Sequence, residues 1–314
     1  MGTSVAVAVV QIAPVLLDRQ ATTDKACRFI SEAADRGAKL VLFPEALIPA
    51  YPRGMRFGTA VGSRNEEGRR AYARYWDNAV EVPGPVTEAI GAAAQRAGVY
   101  VAIGVIEREN AHRGGTLYCT LLYFGPDGRL LGKHRKLKPT AAERLIWGEG
   151  DGSTLTAVQT EFGTVGGLIC WENYMPLARM AMYNKGVDIY LAPTADSRDT
   201  WQATIRHIAC EGRCFVLACN QFVTREMMPA DWEAIGPGPE PFCRGGSAII
   251  GPLGQYLAGP LYDEEGILVA TLDLDLLTQA RFDFDVVGHY SRPDVFQLIV
   301  NEAPMLPVAP AKAQ

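Results

Sequence analysis

Short apolar runs alternate with amphipathic stretches along most of the chain. Residues 4–12, Lys39–Phe43 and Val99–Glu107 read as strands, since each is a compact apolar run bounded by turn or polar residues. Residues 20–36 place Ala26, Phe29, Ile30 and Ala33 at helical spacing after Thr22-Thr23-Asp24, and Gly37 ends the helix. A second helix, Val86–Ala97, follows Pro83-Gly84-Pro85 and stops at Gly98. Leu117–Phe124 and Gly128–Lys136 form a hairpin about Gly125-Pro126-Asp127-Gly128.

The second half continues in the same manner. Gly166-Gly167-Leu168-Ile169-Cys170 reads as a buried strand running into a sharp turn, followed by a helix near 175–185. Val187–Leu191, a helix near 200–212 and the strand Cys214–Gln221 come next. Ser247–Ile250 and Gln255–Ala258 flank Gly251-Pro252-Leu253-Gly254 as another hairpin, and Ile267–Leu272 is the last strand. βα units mixed with hairpins predict an α/β chain whose mixed sheet carries helices outside. Without a linker or repeat, residues 1–302 read as one domain and 303–314 as a loose Pro/Ala-rich tail. Pro49–Arg70, Ala141–Ser153 and Thr224–Gly246 read as irregular loops.

Composition narrows the function classes. A hydrophobic fraction of 48% and a charged fraction of 21% suit a soluble globular protein, and a formal charge of −5 gives no footprint for nucleic acid or anionic membrane. The apolar N-terminus has no Lys or Arg before it and is interrupted by Gln11 and Pro14, so a first strand is expected and a cytoplasmic protein is the default. Seven cysteines without a Cys-x-x-Cys pair do not make a disulfide framework. His207, Cys210, Cys214 and Cys219 lack the paired, closely spaced ligands of a zinc site, so no metal is expected.

The chemistry concentrates at three places. Cys170 ends a strand at a turn that lifts its thiol toward a crevice, and a thiol needs a neighbouring base to become a nucleophile. Glu45 ends the apolar run Val41-Leu42-Phe43, where a carboxylate is costly unless it is paired or working. The basic run Lys133-His134-Arg135-Lys136-Leu137-Lys138 offers a cation. Alternation puts His134, Lys136 and Lys138 on one face, which leaves the choice of lysine open. His207, on an amphipathic helix, reads as a satisfied core histidine and His289 as a structural loop residue. No Gly-x-Ser-x-Gly elbow or phosphate-binding Gly-rich loop occurs.

Taken together, Phe43-Pro44-Glu45-Ala46, His134-Arg135-Lys136-Leu137-Lys138-Pro139-Thr140 and Cys170-Trp171-Glu172-Asn173-Tyr174-Met175-Pro176 resemble the nitrilase superfamily. More narrowly they resemble true nitrilases, in which Trp follows the cysteine, and the late segment Asp285–Asp294 looks most like plant and cyanobacterial-type nitrilases. The similarity runs on through Trp147-Gly148-Glu149-Gly150-Asp151-Gly152, Ala192-Pro193-Thr194-Ala195-Asp196 and Asp285–Asp294, nearly the whole chain. The short tail after Asn301 departs from the longer filament-forming bacterial nitrilases.

The resemblance implies an αββα sandwich and a triad of Glu45, Lys136 and Cys170, with Glu143 as a further glutamate that positions lysine and water. It implies hydrolysis of a small organic nitrile to a carboxylic acid and ammonia, without cofactor or metal, in a homo-oligomer that is at least a dimer. Tyr51, Trp147, Trp171 and Tyr174, beside these motifs, are candidate walls of an apolar pocket around the linear C≡N group. An amidase or carbamoylase of the same superfamily is the alternative enzyme, and a non-catalytic binding or scaffold member the alternative of another class.

Overall fold

The computed structural model describes residues 4–109, 114–228, 242–306 and 308. Its elements run β1 (Ser4–Gln11), α1 (Arg19–Asp35), β2 (Leu40–Leu42), α2 (Glu66–Asn78), α3 (Pro85–Ala97), β3 (Tyr100–Arg108), β4 (Leu117–Phe124) and β5 (Leu130–Arg135) in the first half. The second half holds β6 (Ala157–Thr160), β7 (Gly163–Gly167), α4 (Pro176–Asn184), β8 (Ile189–Pro193), α5 (Asp199–Gly212), β9 (Phe215–Cys219), β10 (Phe222–Val223), β11 (Cys243–Ile250), β12 (Tyr256–Tyr262), β13 (Gly266–Asp273) and α6 (Asp275–Arg281).

Two sheets form. One has six strands in the order β13-β1-β2-β3-β4-β5, and the other has seven, β10-β11-β9-β8-β7-β6 with β12 on β11. Each has a parallel centre, β1-β2-β3 and β7-β8-β9, with antiparallel strands outside it. Alternation sorts the side chains into layers. Val7 and Val9 of β1 join Leu42, Leu121, Leu191 and Leu217 between the sheets. Ala8 and Val10 face the other way, under Ala26 and Ile30 of α1 and Ile90 of α3. On the second sheet, Tyr190 and Val216 turn outward to Met182 of α4 and to Trp201 and Ile205 of α5. The order helix, sheet, sheet, helix is the expected αββα sandwich, and it leaves the carboxyl ends of the parallel strands open for a site.

Several boundaries differ from expectation. Helix α1 starts at Arg19, three residues before Thr22, because Asp18 caps it by accepting from the Ala21 N–H at 2.9 Å. The stretch expected as a loop to Arg70 contains the start of α2, which fully buries only Gly68 and Tyr75 and rests Ala71, Tyr72 and Trp76 against the core. Helix α6 was likewise not anticipated, and neither was the β6–β7 hairpin as a pair. Met305 of the expected loose tail donates its N–H to Asp151 Oδ2 at 2.7 Å. Residues 307 and 309–314 of that tail, and 229–241 of the expected loop Thr224–Gly246, lie outside the described residues.

Candidate active site

Glu45 follows β2 in a turn where Ala46 adopts φ 48°, a conformation that L residues rarely hold without support. The support is visible. Gly104 of β3 lies so close that a Cβ there would sit 2.3 Å from the Pro44 carbonyl oxygen, and Gln221 Nε2 donates to the Glu45 carbonyl at 2.7 Å. The Glu45 side chain is fully buried.

Lys136 follows β5, the edge strand of the same sheet. Its N–H donates to the Cys119 carbonyl at 2.8 Å, and its own carbonyl accepts from Gly150 at the same distance. Gly150 packs so tightly on Arg135 that a Cβ would come within 2.2 Å of the Arg135 carbonyl oxygen. The strand's alternation buries His134 and Lys136 and ends there; Lys138 is exposed and pairs with Glu149. Lys136 is therefore the inward lysine.

Glu143 sits in a single 3-10 turn, Ala141–Leu145, entered through Ala141 at φ 47°. Cys170 opens another, Cys170–Tyr174, three residues beyond the end of β7, and holds φ 53°. Strained φ values thus recur beside the carboxylate, the second carboxylate and the thiol, as they do where geometry is built for function.

These side chains meet. Lys136 Nζ donates to Glu45 Oε1 at 2.7 Å and to Glu143 Oε2 at 2.8 Å. Glu143 Oε2 also accepts the Thr140 N–H at 2.6 Å, and its Oε1 accepts the Tyr51 hydroxyl at 2.6 Å. Cys119 Sγ lies 3.6 Å from Glu45 Oε1. Glu45 Oε2 has no aligned hydrogen-bond partner among the described residues, while the Cys170 thiol approaches the carboxylate closely enough to ease its ionisation. Thr194, directly after β8, donates its hydroxyl to Cys170 Sγ at 3.0 Å and accepts the Asp196 N–H at 3.0 Å. Sequence reasoning missed Thr194 and Cys119. The signal for Thr194 was its place at the end of a buried parallel strand, level with Glu45 and Cys170.

Burial dominates the electrostatics. It pushes the Glu45 carboxyl above the usual range, against the downward pull of the Lys136 ammonium. Burial also works against charge on Lys136, but Glu45 and its other anionic neighbours outweigh this and hold the ammonium well above its ordinary value. Cys170 is driven up by burial and by the Glu45 charge, so the resting group is a thiol beside a carboxylate. Such a site makes a thiolate only by handing the proton to Glu45.

The family model described as carbon-nitrogen hydrolase matches residues 6–282. The chain belongs to the carbon-nitrogen hydrolase family. An aliphatic nitrilase of Sinorhizobium fredii is 57% identical over 299 residues, covering 95% of this chain and 96% of that one. A bifunctional nitrilase/nitrile hydratase of Lupinus angustifolius is 52% identical over 307 residues, covering 96% and 87%. These relatives put the chain in the nitrilase branch. The fold is also that of a solved carbon-nitrogen hydrolase from Helicobacter pylori, at a TM-score of 0.73, with 21% identity and 93% and 97% of the two chains covered.

In this carbon-nitrogen hydrolase the four aromatic candidates form two pairs. Tyr51 and Trp147 meet edge to face at 5.7 Å, and the Lys136 ammonium lies 5.7 Å from the Trp147 ring. Trp171 and Tyr174 pair at 5.5 Å on the outer side of the cysteine turn, 37% and 43% exposed. Trp171 Nε1 donates to Asp196 Oδ2 at 2.8 Å, and Arg198 covers its ring at 4.7 Å. A cavity of about 410 Å³ opens beside Glu143, walled by Tyr51, Met55, Phe57, Leu145 and Ile146 among others. His207 is exposed at the surface beside Glu211, contrary to its expected core role, because its face of α5 points to solvent. His289 is also exposed, and His112 lies outside the described residues.

Proposed function

We propose that this enzyme hydrolyses a small organic nitrile to the carboxylic acid and ammonia, with Cys170 as nucleophile, Glu45 as general base, Lys136 as electrostatic stabiliser and Glu143 as the residue that orients Lys136. The observation that carries this reading is the Lys136 ammonium bridging Glu45 and Glu143 beside the cysteine turn. Nitrilase relatives above half identity over nearly the full chain support the choice of substrate class.

Glu45 takes the Cys170 proton as sulfur attacks the nitrile carbon, and the proton passes to nitrogen to give a thioimidate. Water activated by Glu45 adds to that carbon. The tetrahedral adduct expels ammonia and leaves a thioester, and a second water releases the acid and restores the thiol. Two waters are consumed per nitrile. Lys136 faces the charge that develops on nitrogen or oxygen, and a backbone N–H near Trp171 serves as second donor; such a donor is worth about 3–4 kcal/mol. Expulsion of the sulfur from the same adduct in place of ammonia would release an amide by-product.

Tyr51 and Trp147 line the inner wall of the substrate pocket in this reading, and Trp171 and Tyr174 its outer rim. The assembly is a homo-oligomer, at least a dimer, which is supported by exposed Phe282, Phe296 and Ile299 and by Leu177 on α4. Seven cysteines, all free, support a reducing, cytoplasmic setting. Among the described residues no helix is long and apolar enough to cross a membrane.

The test is ammonia and acid release from a panel of nitriles beside the matching amides, with Cys170→Ala and Glu45→Gln as controls. Nitriles turned over by the wild type and by neither variant support the reading. Turnover of amides alone, or full activity in either variant, overturns it.

A further inference from the structure

His134 and Glu172 are buried together beneath the site, and neither has a part in the mechanism above. His134 Nδ1 lies 2.9 Å from the Thr154 carbonyl oxygen, and Nε2 lies 3.1 and 3.0 Å from the two carboxylate oxygens of Glu172. A carbonyl can only accept, so Nδ1 carries a hydrogen. Glu172 is engaged on both oxygens by backbone donors. Leu137 N–H reaches Oε1 at 2.6 Å, and Ile169 N–H reaches Oε2 at 2.7 Å. Both Glu172 oxygens are thus already acceptors and face Nε2 as acceptors too, so Nε2 is a donor as well. Both ring nitrogens are therefore protonated.

The two backbone groups that Glu172 grips are informative by position. Leu137 adjoins Lys136, and Ile169 adjoins Cys170. One carboxylate thus ties the segment that carries the ammonium to the turn that carries the sulfur. We propose that His134 is held as an imidazolium against the Glu172 carboxylate, and that this buried pair is a positioning device fixing Lys136 relative to Cys170. The role rests on the reading of those two residues as catalytic.

Burial opposes charge on His134, yet attraction to Glu172 outweighs it and the ring titrates above its ordinary value. The other titratable groups around the pair are Cys119 and Tyr123 of β4 and Tyr190 of β8, all raised by burial and so neutral. Tyr190 is bonded to Asn173 Oδ1 at 2.9 Å. The flanking cations Lys133 and Arg135 turn to Glu107 on the opposite face of the strand. Loss of the His134 proton would leave Glu172 buried without its counter-charge.

Nitrogen NMR of the full chain labelled with 15N-histidine tests the pair directly, the His134 ring being assigned by elimination through His112→Gln, His207→Gln and His289→Gln. Its two nitrogens are expected to keep imidazolium shifts from about pH 6 to about pH 8, where an ordinary ring loses its proton. Glu172→Gln is expected to convert the ring to a neutral form and to lower kcat by about 100-fold with KM nearly unchanged, the cost of misplacing a reacting group by about 1 Å. A neutral His134 ring at pH 7 in the wild type overturns the proposal, whether or not Glu172→Gln folds. Wild-type kcat in Glu172→Gln overturns the positioning role. If the wild type turns over no nitrile, the functional reading fails and the positioning role with it, while the NMR still decides the protonation of the pair.

Discussion

The Thr194 hydroxyl donates to the Cys170 sulfur at 3.0 Å while accepting the Asp196 N–H. An oxygen polarised in this way is a better donor, and a thiolate gains more from it than a thiol does. Thr194→Val keeps the shape of the residue and removes the donor. Turnover is expected to fall about 10-fold, in line with the ~1.5 kcal/mol of a hydrogen bond to a charged group. Thr194→Ser should restore most of it. Steady-state kinetics on the best nitrile check both, and an unchanged Thr194→Val removes this contact from the chemistry.

Tyr51 reaches Glu143 Oε1 at 2.6 Å, so it acts on Lys136 through Glu143. Tyr51→Phe preserves the ring contact with Trp147 and deletes the hydroxyl. The expected outcome is a kcat lower by about 10-fold, again from a charge-assisted bond worth roughly 1.5–3 kcal/mol. Binding of an apolar nitrile should be unaffected. A change in KM alone would assign Tyr51 to substrate contact instead.

Much of this site was legible before the fold was known, and the reasons are physical. Glu45 and Cys170 end buried strands of a parallel sheet centre, where side chains converge, and the apolar runs before them mark those strands. Lys136 could not be told from its neighbours by alternation, because that rule puts Lys138 on the same face, whereas alternation ends at Lys136 and Lys138 swings to solvent. Thr194 was hidden since a strand-ending threonine carries no charge to draw notice. Helix α2 was illegible for the opposite reason. It fully buries only Gly68 and Tyr75, and its narrow stripe of Ala71, Tyr72, Tyr75 and Trp76 stands among Glu66, Glu67, Arg69, Arg70 and Arg74. Trp171 follows Cys170 in sequence, yet the 3-10 turn carries its ring outward to Asp196.

Acid should silence the enzyme earlier than a free glutamate would suggest. Burial raises Glu45, with the Glu143 charge adding to it, and a protonated Glu45 cannot take the thiol proton. The acid limb of kcat/KM is therefore expected above the ordinary glutamate value of about 4.3. Glu143→Gln removes one raising charge and should move that limb to lower pH in whatever activity remains. A limb that moves upward contradicts the assignment of Glu45 as base.

Stability at low pH has a different origin. Glu107 is buried, which raises its pKa, but Arg135 and Lys133 outweigh burial and hold it below the usual range. A depressed folded value means that its contribution is complete above the unfolded pKa and is lost as pH falls through the folded one. Wild-type stability from denaturant titration is expected to begin declining near about pH 4.3 and to continue below it. Glu107→Gln should lower stability at neutral pH and flatten this decline. Equal slopes in the two proteins would place the acid sensitivity elsewhere.

The cavity of about 410 Å³ beside Glu143 is lined by Tyr51 of the proposed inner wall, and it is the space that would set substrate size. Met55 is half-buried on its wall and packs against the inter-sheet core rather than within it, so it can be enlarged at modest cost to folding. Met55→Trp would take up space that a longer nitrile needs and leave Lys136, Glu45 and Cys170 alone. One methylene of fit is typically worth about 10- to 200-fold in discrimination. The ratio of kcat/KM for a short against a long aliphatic nitrile is therefore expected to rise at least about 10-fold. An equal loss on both substrates would mean that the loop had shifted the catalytic groups. An unchanged ratio would mean that the substrate lies elsewhere, and the outer pair Trp171 and Tyr174 would then be the wall to alter next.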